Sequence, residues 1–116
     1  MRKSSLAQIA AITAIAFASS MPTYAASESV KTKEFLTYDY ASQEYFIKLT
    51  INTATVIATQ IRPDMAQCIA SWYGDTPAET KKKDAEILAT MKRLPETYPS
   101  AVLIAILQKH CGKFGK

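Results

Sequence analysis

Apolar and polar positions alternate differently in two parts of the chain. Residues 6–17 are apolar except for Gln8 and Thr13. From Thr32 onward the apolar positions recur in shorter, spaced groups. Thr32 is placed to cap a first short helix that carries Phe35 and Leu36, and Asp39-Tyr40-Ala41-Ser42 reads as the break after it. Residues 44–61 fit two templates. Ile47, Leu49, Ile51, Thr53, Thr55, Ile57, Thr59 and Ile61 alternate as in a strand, whereas Tyr45, Phe46, Leu49, Thr53, Val56, Ile57 and Gln60 follow a helical stripe. A strand this long with no partner strand would leave its edges unpaired, so helix is the expectation. Thr53, Ala54 and Ala58 would then form a small face that lets another helix pack closely.

The remaining elements have clearer signals. Pro63 suits the first turn of a helix whose stripe is Met65, Cys68, Ile69 and Trp72, with Gly74 ending it in a left-handed cap. Thr76-Pro77-Ala78-Glu79 matches a capping box. The helix it opens directs Ile87, Leu88, Met91 and Leu94 to the core and is limited by Pro95. Pro99 starts a last helix, apolar all round over residues 101–107, as expected of a helix surrounded by others. Lys109 and His110 complement its negative end, and Gly112 stops it. No repeat or linker interrupts this pattern, which predicts one all-α domain of four to five helices over residues 26–116.

The apolar opening reads as a secretory signal. Arg2 and Lys3 precede the apolar run, Ser19, Ser20, Met21 and Pro22 follow it, and Thr23-Tyr24-Ala25 places small residues at −3 and −1 of a cleavage site. Cleavage after Ala25 gives a signal peptide of residues 1–25. The run is too short to cross a bilayer of ~30 Å, so the mature protein is expected in the periplasm without membrane association. Removing Arg2 and Lys3 leaves 12 of the 14 basic residues against 10 acidic ones, a net +2. That small excess gives no support for nucleic-acid binding.

Cys68 and Cys111 are the only cysteines. In an oxidising compartment they form one disulfide by default, two buried thiols being the alternative. His110, the only histidine, adjoins Cys111 and lacks metal-ligand spacing, so no metal or other cofactor is expected. Nor is catalysis. Neighbouring helix residues point about 100° apart, which separates His110 from Cys111, and a bridged cysteine is no nucleophile. Asp64, Asp75, Glu79, Asp84, Glu86 and Glu96 show no spacing suited to paired acid–base work.

Binding residues stand out instead. Trp72-Tyr73-Gly74-Asp75 ends one helix and turns toward the next. Trp72 fits the core stripe, while Tyr73 falls off it and is expected to reach solvent as an interface anchor. Lys81, Lys82 and Lys83 form either a solvated face or a patch for an acidic partner. Trp72, Tyr73, Asp75, Lys81 and Lys82 are therefore the candidate partner-binding residues.

Four elements together resemble a known family: Tyr45-Phe46-Ile47, Gln67-Cys68-Ile69, Leu94-Pro95-Glu96-Thr97-Tyr98-Pro99, and the apolar run ending at Cys111. This arrangement is similar to the Rap/Tai-type periplasmic immunity proteins, which protect bacteria from peptidoglycan amidases delivered by type VI secretion. The resemblance implies a helical, commonly dimeric protein that plugs the groove of a secreted amidase effector. Members often carry an additional early cysteine pair, where this chain has Lys33 and Tyr45. Thr32-Lys33-Glu34-Phe35-Leu36 also resembles the opening of the HdeA-type acid-stress chaperones, which place a cysteine in that motif. A structural accessory subunit of an envelope complex is a third reading.

Overall fold

A computed structural model describes residues 30–115, and the signal peptide expected over residues 1–25 lies outside them. From Lys31 onward the chain forms one unit. Its elements are α1 (Thr32–Phe35), α2 (Tyr40–Ile61), α3 (Pro63–Tyr73), α4 (Pro77–Lys92) and α5 (Pro99–Cys111). The all-α expectation holds, and residues 44–61 are helical.

Three helices begin with proline at the first position, where its missing N–H costs nothing. At α4 the capping box forms as expected: Glu79 N–H donates to Thr76 Oγ1 and Thr76 N–H to Glu79 Oε1, both at 3.2 Å. Helix α2 starts earlier than its sequence suggests. The Asp39 carboxylate accepts the Ser42 N–H at 2.9 Å, so 39–42 is a capped first turn and not a break.

The first helix is also capped differently from expectation. Thr32 lies inside α1, and the free N–H groups of Thr32 and Lys33 donate to the carbonyls of Thr97 and Pro95 at 2.7 and 3.1 Å. Tertiary acceptors from the α4–α5 loop replace a side-chain cap. Glu96 in that loop pairs with Lys31 and Lys33 at 3.1 and 3.2 Å, and these two bonds hold its carboxyl below the usual range. Buried Gln43 donates to the Phe35 and Leu36 carbonyls at the other end of α1.

Helix α2 packs most extensively on α3, and α3 in turn packs on α5. The core consists of Phe35 from α1, Ile47, Ile51, Ala54 and Ala58 from α2, Met65, Ala66, Ile69 and Tyr73 from α3, Ile87 and Met91 from α4, and Val102, Leu103 and Leu107 from α5. The α2 face differs from the anticipated one: Tyr45, Leu49, Thr53, Val56, Ile57 and Gln60 are exposed. Both sides of this helix are apolar, so periodicity alone could not choose between them. Leu94 is exposed because α4 has already ended. Nor is α5 surrounded, since Ala101 and Ala105 face solvent and Ile104 and Ile106 are half-buried.

The Cys68–Cys111 disulfide is present, its Cα atoms 5.7 Å apart, and fastens α3 to the last residue of α5. Beside it Arg62 bridges the α2–α3 junction to the chain end. Its guanidinium donates to the Lys113 carbonyl at 2.7 Å and to Asp64 at 2.8 Å.

Candidate functional site

The turn between α3 and α4 is built from strong local signals. Gly74 N–H donates to the Ala70 carbonyl at 3.0 Å and ends α3. Its φ of 90° is positive as anticipated, but ψ is 169°, so the residue is extended rather than a left-handed helical cap. This region is open essentially to glycine alone. The reversal it produces leads through exposed Asp75 into the Thr76–Glu79 box, whose hydrogen bonds hold the Glu79 carboxyl below its ordinary range.

Two open clefts flank the turn. One, about 500 Å³, lies toward α2 and is lined by Asn52, Thr55, Ser71, Gly74 and Asp75 among others. The second, about 360 Å³, lies toward α4 and is lined by Trp72, Lys82 and Lys83. Ser71, Tyr73, Gly74 and Glu79 border both, so the turn is a ridge between two depressions.

Asp75, Lys81 and Lys82 are exposed on and behind this ridge. Trp72 is half-buried rather than core. Its ring stacks on His110 with centroids 4.9 Å apart, while Lys83 Nζ sits 5.0 Å from its centroid and 3.3 Å from Glu86. Lys83 therefore covers the tryptophan, and it separates from the exposed pair Lys81 and Lys82.

Tyr73 corrects the sequence expectation. It is 7% exposed, because the buried row of α3 runs Met65, Ile69, Tyr73 at intervals of four and not toward Trp72. Its hydroxyl donates to Asp84 Oδ1 at 2.7 Å. Tyr40 donates to Asp84 Oδ2 at 3.3 Å and to Glu44 at 3.5 Å. Asp84 thus joins α2, α3 and α4 in one polar node. Burial raises its carboxyl pKa against the two tyrosine hydrogen bonds, which lower it, and burial likewise pushes the Tyr73 phenol up. The signal for this node was present: Asp84 shares the spacing of Thr80, Ile87 and Met91, all buried on one stripe of α4.

Among the described residues, no group of three or more His, Cys, Asp or Glu side chains is disposed to hold a metal ion. No helix among them is long and apolar enough to cross a membrane. Comparisons with protein-family models, with curated proteins and with solved structures find no match to this chain.

Proposed function

We propose that this chain is an exported, non-enzymatic protein-binding module of the immunity type, which blocks a peptidoglycan amidase effector in the periplasm. The observation that carries the reading is the ridge at Gly74–Asp75 between two clefts. A ridge of this kind can enter a partner's groove while the clefts receive the groove's walls. The positive-φ glycine, the capping box and the nearby staple hold it in one conformation, which lowers the ordering cost of association. Trp72, Asp75, Lys81 and Lys82 form its accessible border, and Tyr73 supports it from below.

Affinity capture from periplasm, followed by titration of any captured amidase, tests the proposal. Asp75→Lys is expected to weaken the complex by about tenfold or more, corresponding to ~1.4 kcal/mol. Lys81→Ala with Lys82→Ala is expected to slow association and reduce its salt dependence. Failure to capture any periplasmic partner would leave the accessory-subunit reading in its place.

The acid-stress chaperone reading is favoured by one observation, the exposed apolar side of α2. It requires protection of many unfolded clients at low pH, with no single residue of the ridge dominating.

A further inference from the structure

Cys68 and Trp72 lie four residues apart on one face of α3, and His110 and Cys111 end α5. The disulfide joins the two cysteines, and the ring stack, 4.9 Å between centroids, joins Trp72 to His110. These neighbouring rungs fix the end of α5 on α3. Beside the stack, toward α4, lies a third cleft of about 160 Å³, lined by Trp72, Ile87, Arg93, Ile106, Lys109 and His110 among others.

The charge of this cleft is uncompensated. Its one bordering acid, Glu86, is engaged by Lys83 at 3.3 Å. Arg93 and Lys109 form no ion pair among the described residues. The negative ends of α4 and α5 favour cations at these positions, but they do not require both cations to line one cleft. A second observation falls on the same cleft. The indole N–H of Trp72 is buried without an acceptor, alone in this among the described residues. Buried donors in native proteins are nearly always paired, so an acceptor from outside the chain is the missing element. Lys83, which covers the ring from 5.0 Å on a flexible stem, can withdraw to admit it.

We propose that this cleft binds a carboxylate carried on a short apolar body. Arg93 and Lys109 hold the carboxylate, and Trp72, Ile87 and Ile106 hold the body. The planar guanidinium fork matches the two oxygens of a carboxylate, and one of those oxygens supplies the acceptor that the indole lacks. The aromatic and aliphatic walls favour an apolar body, which an inorganic anion does not have. At ~30 Å³ per water the cleft has room for about five waters. That is enough for a carboxylate with a few carbons and too little for a folded segment. The carboxylate can belong to a free small acid or to the last residue of a peptide. Neither Arg93 nor Lys109 borders the ridge at Gly74, so this inference stands or falls separately from the proposed function.

Trp72 is the only tryptophan of the chain, so its fluorescence reports on this cleft alone. Titration of the purified protein with benzoate should give a saturable change, with a Kd on the order of 1 mM for so small a ligand. Neutral benzamide and inorganic phosphate should bind at least about tenfold more weakly, since each lacks one half of the recognised group. The indole N–H resonance of Trp72 should move downfield as benzoate binds. Arg93→Gln and Lys109→Gln, both at exposed positions, should each weaken benzoate by about tenfold, whereas Lys92→Gln removes a neighbouring charge outside the cleft and should leave it unchanged. A tripeptide ending in valine, compared with its C-terminal amide, separates the two sources: tighter binding of the free acid assigns the site to chain ends, and binding of benzoate alone assigns it to small acids. The proposal is overturned if phosphate or benzamide binds as well as benzoate, or if Lys92→Gln weakens binding as much as Arg93→Gln. An unmoved indole resonance, or no saturable change with any of the carboxylates, overturns it equally.

Discussion

The hydroxyl of Tyr73 lies 2.7 Å from Oδ1 of Asp84, a residue with no solvent exposure and no basic side chain among its hydrogen-bond partners. A buried carboxylate is held here by two phenols, and those phenols come from two other helices. Tyr73→Phe removes one donor and leaves the carboxylate under-satisfied. A loss of about 1–3 kcal/mol in unfolding free energy is expected, measurable by urea denaturation.

The same node makes a signed pH prediction. Because the folded pKa of Asp84 is raised above its ordinary 3.8, the fold binds this proton more tightly than the unfolded chain does. The stability it contributes is complete below 3.8 and is lost as pH rises through the raised value. Asp84→Asn abolishes that dependence, so its stability relative to the unaltered protein should improve from pH 3 to pH 7. Asp39, Asp64, Glu79 and Glu96 act oppositely, since each is held below its usual range and loses its contribution as pH falls. Parallel denaturation series at the two pH values isolate the Asp84 component by difference.

Gly74→Ala should be among the more damaging small substitutions. A Cβ there would stand 2.6 Å from the Cβ of Glu79, and the φ of 90° is strained for any L side chain. About 1–3 kcal/mol of backbone strain is expected, plus disturbance of the capping box. Gly112→Ala carries the same backbone strain, at φ 88°, but its Cβ would meet only the end of the flexible Arg62 side chain, at 3.1 Å, and not a second Cβ. Its loss should be the smaller of the two in thermal unfolding.

Removing the bridge should cost more than either. Cys68→Ser with Cys111→Ser releases a loop closed over a separation of 43 residues. The chain-entropy model assigns about 4 kcal/mol to such a closure, within the 2–5 kcal/mol typical of small exported domains. Denaturation with and without reductant checks it. Two thiols alkylated in the unreduced protein would contradict the bridge itself.

The features legible in the sequence are those with local chemistry. Proline at 63, 77 and 99, the Thr76–Glu79 box and the stop at Gly112 each satisfy or forbid a backbone bond within a turn, so a short window contains the whole cause. Tyr73 is buried against expectation because one helical turn does not reveal which row faces the core. The buried row becomes visible only when Met65, Ile69 and Tyr73 are read together. The face of α2 was undecidable for a different reason, since both sides are apolar and only packing on α3 selects Ile47 and Ile51. The α1 cap was invisible because its acceptors lie more than sixty residues away in the chain.

The bridge also divides the molecule mechanically. Under tension from its two ends, load passes along α1 and α2 to Cys68 and then crosses directly to Cys111. The chain between the cysteines lies off that path and stays slack, so roughly 140 Å of contour cannot be drawn out while the bond is intact. Only the stretch outside the ring can lengthen. Its first resistance is the docking of α1, where the Thr32 and Lys33 amides hang on carbonyls inside the ring.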